Sequence, residues 1–118
     1  MKTSVPAPSV EHYRYAVQWS PDDAEYVATV AEFPSLSWLD ADQLDAIRGL
    51  EHLVKTVIDD MRATGEAVPE PLAERAYSGR LNLRVSEHLH RRLAMEAVQN
   101  DTSLNAYATS LLDRQQSA

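Results

Sequence analysis

The chain has 118 residues, 44% apolar and 25% charged, a globular composition that excludes a disordered or fibrous polypeptide. No run approaches the roughly 18 consecutive apolar residues of a membrane helix, and the start MKTSVPAPSV lacks the apolar core of a secretion signal. The absence of cysteine excludes disulfides, thiol chemistry and thiolate zinc sites, and a cytoplasmic chain is expected. The net charge of −7 argues against nucleic acid at first sight, but it is unevenly spread. Residues 1–77 hold six Lys and Arg against fourteen Asp and Glu, a net of −8, whereas residues 78–118 hold five against four, a net of +1. Such an asymmetry between halves points to two different partners.

Residues 1–10, with Pro6 and Pro8, read as a loose lead-in. Tyr13, Tyr15, Val17 and Trp19 alternate with Arg14 and Gln18, which predicts a half-buried strand. Ser20-Pro21-Asp22-Asp23 is a turn, because proline presets φ and Ser or Asp bonds the local backbone. Tyr26–Ala31 completes a hairpin, and Pro34 separates it from a short third strand, Leu36–Leu39. Asp42 then caps a helix with Asp45 in its first turn. Its apolar face is Leu44, Ile47, Leu50, Leu53, Val54, Val57, Ile58 and Met61, at spacings of three and four. Gly65 is the expected residue after its last turn, and Pro69 and Pro71 prevent continuation. Residues 66–77 read as a linker, with a short edge strand near Ala67-Val68.

Beyond Ser78-Gly79 the pattern changes. Leu81, Leu83 and Val85 alternate with Arg80, Asn82 and Arg84. Ser86 caps a helix with Leu89, Leu93, Ala97 and Val98 inside. Asn100-Asp101-Thr102 breaks it, and Ser103 caps a second helix carrying Leu104, Tyr107, Ala108, Leu111 and Leu112 on its inner face. The fold class is therefore α+β: a βββα(β) domain over 1–65, extending to about 75, then the linker and a β-α-α unit over 78–118.

Catalytic chemistry finds little support. His88 and His90 are two apart on a helix and point in different directions, unlike an i, i+4 metal pair; with His12 and His52 they read as surface histidines. Asp22-Asp23 and Asp59-Asp60 read as solvated acids rather than a general acid and base. No G-x-S-x-G occurs, and three scattered glycines build no phosphate loop. The sequence thus predicts no catalytic residues, metal site or cofactor.

The sharper signal is Arg80-Leu-Asn82-Leu-Arg84-Val. In a strand, Arg80, Asn82 and Arg84 form one row. Arginine suits guanine and asparagine suits adenine in the major groove, which admits a two-stranded ribbon. The opposite row, Leu81, Leu83 and Val85, needs burial, and an antiparallel mate from a second copy would make it a dimer core. The free N–H groups around Ser103, Leu104 and Asn105 suit a phosphate. One rival reading makes 80–85 a fourth strand of the N-terminal sheet. Another, a helix-turn-helix, needs basic or amide groups on its recognition helix, whose outer face here has no cation before Arg114.

Residues 78–112, SGRLNLRVSEHLHRRLAMEAVQNDTSLNAYATSLL, resemble the ribbon-helix-helix domain at the C-terminus of HicB-type antitoxins. YRYAVQWSPDDAEYVATVAEFPSLSWL, with the long helix and VPEP, resembles that family's partial RNase H-like N-terminal domain. The resemblance spans about residues 12–113. It implies an antitoxin that neutralises a small mRNA-cleaving HicA toxin through the acidic N-terminal domain. It also implies autorepression of the operon by a homodimer, or a tetramer, bound to operator DNA. The family usually has a glycine before the long helix, where this chain has Asp40-Ala41-Asp42. A solitary HicB-like regulator, or an oligomerising module without a toxin, is the alternative. A nuclease is not implied, since the strand Tyr13–Trp19 carries no carboxylate to begin a metal cluster.

Overall fold

The computed structural model describes residues 8–116; the expected lead-in therefore lies largely outside the described residues. The chain divides after Tyr77 into two compact units. In the first, a single 3-10 turn at Val10–His12 precedes β1 (Tyr15–Ser20), β2 (Glu25–Val30), β3 (Ser37–Asp40) and α1 (Gln43–Thr64). The three strands form an antiparallel sheet in sequence order, as the alternation and the turn residues predict. The β1–β2 loop ends on Ala24 with φ of 53°, and the Ser20 hydroxyl bonds Asp23 at 2.8 Å.

One sheet face and α1 bury each other. Tyr15, Val17 and Tyr26 pack against a core of Tyr13, Ala28, Val30, Phe33, Ala46, Leu50, Val54 and Ile58. On α1 the buried residues are Ala46, Leu50, Val54 and Ile58, an i, i+4 ridge that starts at an alanine. Leu44, expected inside, is 63% exposed, because it lies six residues, about 1.7 turns, before Leu50 and so faces away from that ridge. Trp38 of β3 lies against the helix backbone at Gly49, where an added Cβ would sit 2.2 Å from the indole Nε1. Asp42 caps the helix by accepting from Asp45 N–H at 3.0 Å. At the other end Gly65, with φ of 77°, closes a Schellman motif in which Glu66 N–H donates to Met61 O at 2.8 Å.

Residues 66–77, expected to be a linker, pack along this unit instead. Val68 packs against the core and Pro71 is fully buried. The Tyr13 hydroxyl donates to Pro69 O at 2.7 Å. Glu32, only 8% exposed, accepts from Arg14 N–H at 2.9 Å and from Leu72 N–H at 2.8 Å. The Tyr77 hydroxyl returns to Leu72 O at 2.8 Å, and His12 pairs with Glu74. The segment is a strap held by His12 and Tyr13, just before β1, and Glu32, just after β2. It forms no strand near Ala67-Val68: its backbone groups meet side chains rather than a ladder, so the unit is βββα without the fourth strand.

The second unit consists of an extended entry, α2 (Glu87–Gln99) and α3 (Leu104–Gln116). Ser86 caps α2, its hydroxyl accepting from Leu89 N–H at 3.1 Å. Asp101, in the left-handed region at φ 54°, lets Thr102 N–H reach Ala97 O and Asp101 N–H reach Val98 O, each at 3.0 Å. This is again a Schellman motif. Across the helices the Tyr107 hydroxyl donates to Glu96 at 2.8 Å. Val98, expected inside α2, is 78% exposed, since α3 covers the adjoining face through Ala97. No described helix is long and apolar enough to cross a membrane.

Candidate nucleic-acid interface

The cationic row and the apolar row lie in the segment that leads into α2. Among the described residues, 80–85 form no strand, contrary to the alternation. A strand is defined by a ladder, and a single chain supplies none here. Arg80, Asn82 and Arg84 are exposed, and the only backbone anchor in the row is Arg80 N–H, which donates to the Ser78 hydroxyl at 3.1 Å. Leu81, Leu83 and Val85 are 73%, 62% and 42% exposed.

The exposed leucines are not isolated from the helices. Leu81 and Leu83 line one open groove of about 490 Å³ together with Asn105, Ala108 and Leu112 of α3. Leu112 is itself 50% exposed, and Ala97 is the one buried residue of the unit among those described. A unit of some 40 residues with so little interior is below the size at which one chain stabilises itself without disulfide, metal or association.

Ser103 opens α3 as expected. Its hydroxyl accepts from Ala106 N–H at 3.1 Å and its carbonyl from Tyr107 N–H at 2.9 Å. Helix geometry leaves the N–H groups of Leu104 and Asn105 without intrahelical acceptors, directed outward with the positive end of the dipole. The structure therefore brings Asn105 to the same groove as Leu81 and Leu83, and leaves Arg80, Asn82 and Arg84 on solvent.

Two features escaped the sequence reading. Glu96 is tied to Tyr107, and that hydrogen bond, followed by partial burial and the negative charge of Glu96, raises the phenol's pKa. Glu32 has burial acting to raise its pKa, but the N–H groups of Leu72, Arg14 and its own backbone, with the charge of Arg75, hold it below the usual carboxylate range. No local motif announces either. Among the described residues no three His, Asp or Glu side chains are grouped to hold a metal ion.

Residues 64–112 match the HicB family model. The match begins in the last turn of α1 and covers the strap and nearly all of the second unit. The likeness to that family is thus carried by 49 of the 118 residues. No curated protein and no solved structure matches the chain.

Proposed function

We propose that the chain is a cytoplasmic, non-catalytic antitoxin with partial RNase H-like and ribbon-helix-helix domains. Its first unit neutralises a HicA-like toxin, and its second unit dimerises and represses the operon by binding operator DNA. The observation that carries the proposal is the exposed row Leu81, Leu83 and Val85 beside a nearly coreless helix pair. An antiparallel mate from a second copy satisfies the backbone of 80–85 and covers those leucines at once. It also turns Arg80, Asn82 and Arg84 of each chain to one side, as a pair of strands in a major groove requires. The amides at Leu104 and Asn105 then anchor phosphate. The acidic first unit, with fourteen acids against six Lys and Arg, complements a basic toxin and speeds its encounter.

The test is competition binding of the full chain to a duplex from upstream of its own reading frame, against a scrambled duplex at fixed salt. Asn82→Ala or Arg84→Ala should cost about 1–3 kcal/mol on the first duplex and much less on the second. Ser103→Pro should weaken both together, since phosphate contacts carry no sequence information. Equal losses on both duplexes for Asn82→Ala and Arg84→Ala reduce the row to a charged surface.

A further inference from the structure

The geometry points to a seat for an arginine side chain of a basic protein partner on the Trp19–Tyr26 pair, at the hairpin-turn end of the sheet. The inference rests on the antitoxin reading only for the identity of that partner; the site itself comes from the first unit alone.

Strand register sets Trp19 opposite Tyr26, and Tyr26 opposite Asp40. Trp19 is two residues from Val17, so it shares the face of the sheet that α1 covers. The helix covers the rows of Tyr15 and Val17 and leaves this last row open: Trp19 is 52% exposed. The two rings meet edge to face, centroids 5.1 Å apart at 70°, so packing against Tyr26 holds the indole while part of its surface stays in water. Trp38, diagonal to Tyr26 in the ladder, is 38% exposed. Trp38 sits in the covered row of Val17 and Ala28, against Gly49 of α1, so Trp19 with Tyr26 forms the open end of this face, from residue types that anchor protein interfaces.

The charge around the pair selects the occupant. Residues 15–47 contain seven acids and no Lys, Arg or His. Glu32 is taken up by the strap. The turn that follows Trp19 carries Asp22 and Asp23, and Asp40 closes the row on the same face, whereas Glu25 at the start of β2 faces the other way. An aromatic face bordered by carboxylates attracts a guanidinium twice, through the ring quadrupole and through the acids. It repels nucleic acid by the same charges. A second copy of the chain is a poor occupant, because this end of each first unit carries the same negative charge.

Titration of the full chain with hexaarginine amide at low salt, followed by the indole N–H signals in NMR, tests the site. The Trp19 signal should move with saturation, and Trp19→Leu should weaken binding about fivefold, in the range of a partly exposed cation–π contact. Asp22→Asn with Asp40→Asn should weaken it further and flatten its salt dependence, whereas Asp59→Asn with Asp60→Asn on α1 should leave it within about twofold. A Trp19 signal that stays put at saturation overturns the inference. So does an equal loss from the α1 pair, or a Trp19 shift on raising protein concentration without peptide, which would assign the face to a second copy. Co-expression with a HicA-type toxin as the basic partner separates this from the antitoxin reading. If the wild type fails to restore growth, the antitoxin reading falls and the peptide titration still decides the site. If wild type and Trp19→Leu restore growth equally, the toxin seats elsewhere and the inference is overturned.

Discussion

The two units solve the problem of burial in opposite ways. The first closes on itself: a helix ridge, a sheet face and a strap give a continuous interior in which even the buried carboxylate of Glu32 has two backbone donors. The second has good local structure, with both helices capped by serine, yet buries a single residue, Ala97, among those described. Capping and periodicity make helices, but they do not make a core. The stability of the first unit is accordingly expected to be independent of protein concentration, and that of the second to depend on it through dimerisation. Five single substitutions test the contrast.

Leu83→Pro should have the largest effect. Proline removes a ladder donor in the middle of the entry segment and a side chain from the groove beside α3. Sedimentation should show loss of the dimer, and circular dichroism should show loss of α2 and α3 with the first unit's melting transition unchanged. A dimer that persists with both helices intact would mean that the chain pairs through another surface.

Glu32→Gln comes next and should act on the first unit only. Amide for carboxylate leaves one hydrogen bond without its charge assistance and turns an NH2 group toward the other N–H donor, at a cost of about 1.5–3 kcal/mol near neutral pH. The pH dependence has a definite sign. Because the folded state holds Glu32 below the usual carboxylate range, its contribution is complete above the unfolded value and is lost as pH falls through the folded one. Wild type should therefore lose strap protection in hydrogen exchange on acidification, whereas Glu32→Gln should start lower and change less.

Gly49→Ala should cost less. Alanine gains about 1 kcal/mol in helix propensity, but its Cβ would fall 2.2 Å from Trp38 Nε1 and must push the indole off the helix. Overpacking of this kind costs about 1–3 kcal/mol, which leaves a net loss of about 1 kcal/mol or somewhat more. Urea melts following tryptophan emission should show a lower midpoint, and Gly49→Ala with Trp38→Leu should recover the propensity gain.

Legibility in the sequence follows the range of the interactions. The hairpin, the long helix and its Asp42 and Gly65 ends are written in alternation, 3.6-residue spacing and cap chemistry, and all appear within a residue or two. Ala46 was missed because alanine carries no periodic signal, although it begins the buried ridge. Val98 and Leu44 were misplaced because an apolar residue at the margin of a helix face can fall on either side of it. The strap depends on Tyr13 and Glu32, more than 30 residues away in sequence, and no local pattern encodes such contacts. The candidate site was legible as two alternating rows at 80–85. Its pairing was not, since the expected mate lies in another chain.

The smallest effect is expected at the one feature the two units share. Both α1 and α2 end in a Schellman motif with a left-handed residue after the last turn, but α1 has Gly65 there and α2 has Asp101. An L-residue in that conformation costs roughly 1–2 kcal/mol relative to glycine, and less for aspartate, whose short polar side chain bonds locally. Asp101→Gly should thus stabilise α2 and α3 by about 0.5–1 kcal/mol per chain. In a dimer that unfolds to two separate chains, the gain enters twice, so the dimer unfolding free energy should rise by about 1–2 kcal/mol. At Gly65 the reverse change, Gly65→Asp, should lower the first unit's stability once and at all protein concentrations. Denaturant melts of both variants over a hundredfold range of protein concentration distinguish the two cases. If Asp101→Gly shifts the midpoint by the same amount whether the chain is dilute or concentrated, with no concentration dependence in wild type, then the second unit folds alone and the contrast between the two units fails.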